Sequence, residues 1–90
     1  MKYPKGLSVV PVTGMTIARL YDTNIVVIDY VNNKITLNNG GWNTKHTKKC
    51  MNIILGQFDY YVYQKDFEWY VSKINTNTTT NYENGMDIAI

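Results

Sequence analysis

The sequence predicts a small α+β domain: an antiparallel β-sheet of about five to six strands with one amphipathic helix, about residues 44–55, packed on one face. Short runs rich in β-branched and aromatic residues lie on both sides of a single stretch with helical spacing. Charged residues make up only 18% of the chain, and Asn and Thr supply much of the remaining polarity, which favours strands and turns. Ninety residues are enough for one hydrophobic core, so we expect residues 1–90 to form a single domain.

Three strands are expected between residues 15 and 38, after an N-terminal arm. Two prolines interrupt residues 1–14, which we expect to form an extended N-terminal arm. Asn32-Asn33 supplies two residues that tolerate positive φ, as a two-residue hairpin turn requires. Gly40-Gly41 ends the last of these strands. The strands are predicted near residues 15–21, 24–31 and 34–38.

The spacing of apolar residues becomes helical between residues 44 and 55. Asn43 or Thr44 is the predicted N-cap, and Gly56 is the predicted left-handed residue that ends the helix. One face of this helix carries an apolar stripe formed by Thr47, Cys50, Met51, Ile54 and Leu55. The opposite face is polar and carries Lys45, Lys48, Lys49 and Asn52.

The chain after the helix predicts a second hairpin and a terminal strand. The runs DYYVYQ and FEWYVSKI flank a turn at Lys65-Asp66. Alternation places Phe67, Trp69 and Val71 on one face of the later strand. Residues 75–81 are predicted to be a polar loop, and the alternation in MDIAI predicts a short strand at the end of the sequence.

Composition argues against several classes of function. One Cys and one His give no basis for an internal disulfide, a metal site or a cofactor. No apolar run reaches the roughly 18 residues that a membrane span requires, so no membrane partner is expected. A formal net charge of +2 does not by itself indicate nucleic-acid binding.

No set of residues indicates catalysis. His46 and Cys50 are four positions apart, which would place them on neighbouring turns of the helix. Cys50 falls on the apolar stripe, however, where a free cysteine usually behaves as a small buried hydrophobe. The carboxylates are scattered along turns and strand faces. We therefore expect the protein not to be an enzyme.

Three segments of the chain, YDTNIVVID, LNNGGWNTKHTKKCMN and VYQKDFEWYV, together resemble a family of small bacteriophage accessory proteins. The family pattern has a Tyr-Thr-aliphatic strand, a GGW-x-T-x-x-T-K-x-x-M-N segment and a V-x-Q-K-x-x-W-x-V hairpin. The resemblance covers roughly residues 20–90 and implies a phage origin and an accessory role, but no activity or ligand. We expect the protein to be located in the host cytoplasm. Two residues depart from the pattern: the family often has Arg where this chain has Cys50, and often His or a neighbouring polar residue where it has Asp22. The matching residues are Tyr21, Thr23, Ile25, Val26, Leu37, Gly40, Gly41, Trp42, Thr44, Thr47, Lys48, Met51, Asn52, Val62, Gln64, Lys65, Trp69 and Val71.

The strand-to-helix segment is a candidate anion site. A helix N-terminus presents free N–H groups and a partial positive charge, which lysines in the first turns oppose unless an anion is bound. Glycines would let a ligand approach the backbone, threonines would donate hydroxyls, and Trp42 could stack on a base. The candidate ligand-binding residues are Gly40, Gly41, Trp42, Thr44, Lys45, Thr47, Lys48, Lys49 and Asn52. The alternative is that Trp42 fills the core and that the lysines are a solvated helix face.

The aromatic hairpin is a candidate protein interface. It has too many large rings for one face of a two-stranded unit, so some are expected to be exposed, as Tyr and Trp anchors at interfaces are. The candidates are Tyr61, Tyr63, Trp69 and Tyr70. The alternative is that part of this set fills the core.

Two functions remain open on this basis. In the first, a phage accessory protein inhibits a host or anti-phage defence protein by direct protein–protein binding. In the second, the Gly40–Asn52 segment binds a phosphate-bearing ligand, either nucleic acid or a nucleotide signal. A homo-oligomer is compatible with both, since self-association would cover an edge strand or exposed aromatic side chains.

Overall fold

The computed structural model describes residues 3–90, which form eight strands and one α-helix. The larger sheet has the strand order β1-β2-β3-β4-β8, the smaller has the order β5-β6-β7, and every pairing is antiparallel. The α+β prediction is confirmed, with the strands divided between two sheets. The elements are β1 (Leu7–Val12), β2 (Met15–Leu20), β3 (Thr23–Asp29), β4 (Lys34–Leu37), α1 (Lys45–Leu55), a 3₁₀ turn (Gly56–Phe58), β5 (Tyr60–Lys65), β6 (Glu68–Lys73), β7 (Thr78–Asn81) and β8 (Met86–Ala89).

The segment that the sequence predicts as an N-terminal arm contains a strand of the larger sheet. Residues 7–12 are extended and pair along β2, from Leu7 opposite Leu20 to Val12 opposite Met15. Pro11 fits here because β1 is an edge strand, where a missing N–H interrupts no second pairing. The arm prediction also covers residues 1 and 2, which lie outside the described residues.

The connection between β3 and β4 is longer than the two-residue turn that Asn32-Asn33 predicts. It spans residues 30–33, and only Asn33 has positive φ, at 53°. The Asp29 carboxylate organises it by accepting hydrogen bonds from the backbone N–H groups of Val31 (3.0 Å) and Asn32 (3.1 Å). The Asn32 side chain donates a third (2.7 Å). These bonds, with that of the Asn32 amide largest, lower the pKa of Asp29.

Helix α1 covers the core with the stripe that its spacing predicts, since Thr47, Cys50, Met51, Ile54 and Leu55 are all buried. Thr44 is the N-cap, and its side chain accepts a hydrogen bond from the Thr47 backbone N–H. The prediction for Gly56 is wrong: its φ is −57°, and the chain continues into the 3₁₀ turn. Asp59, with φ of 62°, is the left-handed residue instead. The α-helix therefore ends at Leu55, where its spacing predicts, but the left-handed residue follows only after the 3₁₀ turn.

The smaller sheet differs from the prediction at two places. Asp66 and Phe67 form the turn between β5 and β6, both with positive φ, so Phe67 does not share a strand face with Trp69 and Val71. Trp69 and Val71 are buried, whereas Phe67 is exposed. Residues 78–81 of the predicted polar loop form β7, which pairs along β6 and is exposed at every position.

Strand β8 is attached to β4 by side chains as well as by its backbone. Asp87 accepts a hydrogen bond from Thr36 Oγ1 (2.5 Å). It also forms a salt bridge with Lys34, whose Nζ lies 3.4 Å from Oδ2 of Asp87. The bond from Thr36, followed by the Lys34 charge, lowers the pKa of Asp87.

We expect Asp87 to contribute to the loss of stability in acid. A carboxyl whose pKa is lowered by folding stabilises the native state above its unfolded pKa, and this stabilisation is lost as the pH falls through the native pKa. In Asp87→Asn, unfolding free energy measured by urea titration should therefore fall less steeply below about pH 4 than in the wild type. Identical slopes for the two proteins would contradict the role given to this carboxylate.

Candidate functional site

The predicted lysines line one groove between α1 and β5. This lysine groove is lined by Lys45, Lys48, Lys49, Asn52, Val62, Tyr63, Gln64, Asp66 and Phe67. Helical spacing brings the three lysines to the face of α1 that meets the edge of β5. The groove thus joins residues from the predicted ligand site with Tyr63 from the predicted interface. Three of its lining side chains are basic and one is acidic.

Lys48 is held by its neighbours in this groove. Its ammonium donates a hydrogen bond to Gln64 Oε1 (2.8 Å) and lies 5.0 Å from the centroid of the Trp69 ring. Lys45 and Lys49 are exposed. Their charges are therefore the ones available to a ligand that enters the groove.

Asn52 contributes structure to the groove, not a free amide. Its Nδ2 donates to the Val62 carbonyl (3.0 Å), and its Oδ1 accepts from the Val62 N–H (2.7 Å). The side chain thereby takes the place of a neighbouring strand at the edge of β5. The candidate ligand residue Asn52 has both of its polar groups engaged in this pair of bonds.

The two predicted threonines pair with each other at the start of α1. Thr44 Oγ1 accepts from the Thr47 N–H (3.2 Å), and the two hydroxyls lie 3.0 Å apart. Thr47 is buried. These hydroxyls cap the helix and do not line the lysine groove.

Gly40, Gly41 and Trp42 lie apart from the lysine groove. The side chain of Trp42 is 62% exposed, so the alternative that it fills the core is wrong. The loop is held by the buried Asn39, whose Oδ1 accepts from the Gly41 N–H (2.9 Å) and whose Nδ2 donates to Asn43 (2.8 Å). The indole therefore lies at the surface of a loop whose backbone is held from inside.

A second groove, the asparagine groove, lies on the other side of the β5–β6 turn. It is lined by Asn39, Gly41, Asn43, Phe67, Glu68, Trp69, Asn81, Tyr82, Glu83 and Asn84. The Tyr82 hydroxyl donates a hydrogen bond to Asn84 Oδ1 (2.7 Å), and the centroid of the Tyr82 ring lies 5.3 Å from that of the Trp69 ring. Burial raises the pKa of Tyr82 to about 12. Trp69 Nε1 is buried and has no hydrogen-bond partner among residues 3–90. The charged lining residues, Glu68 and Glu83, are both acidic.

Three of the four predicted interface residues form a row on the outer face of the smaller sheet. The ring centroids of Tyr61 and Tyr63 are 5.5 Å apart, as are those of Tyr63 and Tyr70. Tyr70 donates to Glu68 (3.2 Å), which raises its pKa. Trp69 is not part of this surface, because alternation along β6 turns it into the core, where it is 7% exposed.

Sequence reasoning missed the most exposed aromatic side chain, that of Phe67. It is 95% exposed at the tip of the β5–β6 hairpin and has φ of 67°. Asp66 is a residue that tolerates positive φ, but a bulky phenylalanine rarely adopts it, so the sequence carried no signal for Phe67 at this position. Phe67 lines both the lysine groove and the asparagine groove, and it therefore separates a basic surface from an acidic one.

The geometry offers no activated nucleophile at Cys50. Its Sγ lies 3.8 Å from His46 Nε2, but the residue is fully buried and burial raises the pKa of the thiol. A reactive cysteine needs an accessible thiolate. Within residues 3–90, no group of three or more His, Cys, Asp and Glu side chains is arranged to hold a metal ion. The helices of this same range are too short or too polar to cross a membrane.

Comparison with known proteins gives one family. The model of the Kyanoviridae Gp96 protein family matches residues 6–89, which is nearly the whole chain. No curated protein and no solved structure matches. The match includes β1 through β8 and both grooves.

Proposed function

Because the chain belongs to the Kyanoviridae Gp96 protein family and is therefore a phage protein, we propose that it binds another protein through its smaller sheet. The proposed binding surface consists of Phe67, Tyr61, Tyr63 and Tyr70. In this proposal the protein acts without catalysis in the host cytoplasm and inhibits a host or anti-phage defence protein by occupying its surface.

The observation that carries the proposal is the state of Phe67. A left-handed conformation costs a residue with a Cβ roughly 1–2 kcal/mol, and a phenylalanine that is 95% exposed contributes almost none of its hydrophobic area to folding. Strain of this kind is characteristic of binding sites. An aromatic ring at a hairpin tip is an anchor that regains its hydrophobic area when it enters a partner's pocket.

The tyrosine row supports a protein partner over a nucleic acid. Its neighbouring rings are inclined at only 26° and 32° and contact one another, so their faces are partly occupied. Base stacking needs free ring faces. Protein interfaces use tyrosines mainly for rigid contact area and hydroxyl hydrogen bonds, which this arrangement leaves available.

Replacing Phe67 with Asn tests the anchor. Asn tolerates positive φ, so the turn and the stability of the fold should be retained or improved. Binding should weaken by at least tenfold, because truncating an interface anchor commonly costs 2 kcal/mol or more. Tagged wild-type and variant proteins would be compared for capture and cross-linking of one partner in lysate of infected host cells.

The matched control is Val31→Asn, which removes an exposed apolar side chain from a hairpin turn of the larger sheet. It should capture the partner as the wild type does. Equal capture by Phe67→Asn and the wild type would contradict the proposal. Sedimentation of both proteins alone distinguishes a second copy of this chain as the partner.

A phosphate-bearing ligand, nucleotide or nucleic acid, is a second candidate, which the three lysines of the lysine groove favour. Native mass spectrometry of gently purified protein tests it. A nucleotide-like adduct that denaturation removes, and that is lost in Lys45→Ala/Lys48→Ala/Lys49→Ala, would favour this candidate. A clean protein mass would favour the protein partner.

A further inference from the structure

We infer that the lysine groove receives an acidic, extended segment of the partner protein, with one carboxylate at Lys45 and a second at Lys49. The inference rests on the proposed function, because it assigns the chemistry of the partner beside the Phe67 anchor. It also assigns different roles to the three lysines. Lys48 holds α1 against β5 and β6 through Gln64 and the Trp69 ring, and Lys45 and Lys49 contact the partner.

Lys45 and Lys49 are the unneutralised charges of this surface. Both are exposed, and neither forms an ion pair within residues 3–90, where the ion pairs are Arg19–Asp22 and Lys34–Asp87. Lys48, between them, is engaged with Gln64 and the Trp69 ring. The groove therefore presents two separate cationic points instead of one cluster.

The spacing of these two points fits an extended peptide. Residues i and i+4 of a helix have Cβ atoms about 5–6 Å apart. Residues i and i+2 of an extended strand lie on one face and are separated by about 6.5–7 Å. Two acidic residues at alternate positions of such a segment would each meet one lysine.

A single phosphate group fits the groove less well. Phosphate sites in proteins combine convergent backbone N–H groups with side-chain donors. Here the Lys48 ammonium is bonded to Gln64, and the Asn52 amide is bonded to Val62. Two of the donors that line the groove are thus already engaged, which leaves fewer to hold one anion from several sides.

The surroundings of the groove disfavour a long polyanion. Asp66 and Glu68 flank Phe67, and Glu83 lines the next groove. A nucleic-acid strand that continued past Phe67 would meet these carboxylates. A protein segment of mixed charge meets less repulsion, because its acidic residues can face Lys45 and Lys49 while its basic residues face Asp66 and the asparagine groove.

The inference can be tested with three probes on the full-length, ¹⁵N-labelled protein. The probes are an eight-residue peptide that alternates Thr and Glu, its Thr-Lys counterpart, and an oligothymidylate of eight nucleotides. The Thr-Glu peptide should shift the amide signals of α1 and β5 residues that line the lysine groove, and added salt should weaken the binding. The other two probes should leave these signals unchanged at the same concentration.

Charge reversal supplies the matched variants. Lys45→Glu and Lys49→Glu should each weaken binding of the Thr-Glu peptide by about tenfold. Arg19→Glu makes the same change of net charge on β2 and should keep the affinity within about twofold. Equal losses in all three variants would show a general charge effect and overturn the assignment.

Two other outcomes would overturn the inference. The first is that the Thr-Glu peptide shifts no groove signal or is matched by the Thr-Lys peptide. The second is stronger binding by oligothymidylate than by the Thr-Glu peptide, which would assign the groove to a phosphate-bearing ligand. Neither outcome affects the Phe67 capture experiment, and the short peptides should bind Phe67→Asn as they bind the wild type. Failure of this inference and failure of the proposed anchor are therefore separate results.

Discussion

Replacing Asn52 with Ala is expected to lower the free energy of unfolding by about 2–4 kcal/mol, because it leaves two backbone groups of a buried strand residue without partners. Asn52 satisfies both the N–H and the C=O of Val62, whose side chain is 2% exposed. The better helix propensity of Ala offsets about 0.5 kcal/mol of the loss. Urea titration followed by circular dichroism would measure the difference.

Two further variants separate the hydrogen bonds from other effects of the substitution. Lys49→Ala, on the same helix but exposed, should change the unfolding free energy by less than about 0.5 kcal/mol. Asn52→Asp keeps the acceptor for the Val62 N–H but places a second acceptor against the Val62 carbonyl, so it should also destabilise. The Val62 amide should lose protection from hydrogen exchange in Asn52→Ala. Retained protection would mean that β5 does not depend on this side chain.

Gly40→Ala is expected to destabilise the protein by about 2–4 kcal/mol, as the sum of backbone strain and steric overlap. Its φ is +63°, and a Cβ added there would lie 2.6 Å from Thr23 Oγ1 and 2.8 Å from Thr23 Cγ2. Either the 38–43 loop or the start of β3 would have to move. Thermal and urea unfolding of the variant would measure the cost.

The neighbouring glycine is a control for this prediction. Gly41 also has positive φ, at 87°, but a Cβ there would meet no atom within 4 Å. Gly41→Ala should therefore cost only the strain, about 1 kcal/mol. Adding Thr23→Ser to Gly40→Ala, which removes the methyl group but not the hydroxyl, should recover part of the larger cost. Equal destabilisation by the two glycine variants would show that packing against Thr23 is unimportant.

The helix and four of the five strands of the larger sheet could be predicted because their signals are local. Periodicity within a few turns or pleats predicts the five-residue apolar stripe of α1 and the alternation of β4 and β8. The Thr44 cap follows from the type of residue at the start of the helix. Strands β1 and β7 were missed because their signals are weak. β1 contains Pro11, and β7 has no buried side chain to set an alternation. Both are edge strands that are defined by their partners.

The candidate site was predictable in composition but not in arrangement. The lysines of α1 could be assigned to one helix face, yet only the tertiary structure shows that this face meets β5 and that Asn52 and Thr47 are engaged in structural hydrogen bonds. Trp69 and Trp42 show the same limit. The first is buried and the second exposed, and no local pattern distinguishes the two indoles. Phe67 was missed because a non-glycine turn of this kind has no sequence signature.

The place of β8 beside β4 has a consequence for the kinetics of folding. Strands β1 to β4 follow one another as hairpins, whereas the pairing of Leu37 with Met86 closes a loop that contains α1 and the entire smaller sheet. Closing such a loop costs more chain entropy than forming a hairpin. The β4–β8 pairing should therefore form last, after the β1–β4 meander and the β5–β7 sheet have each become ordered. Until then β4 is an open edge, and this interval is when the chain is most exposed to aggregation.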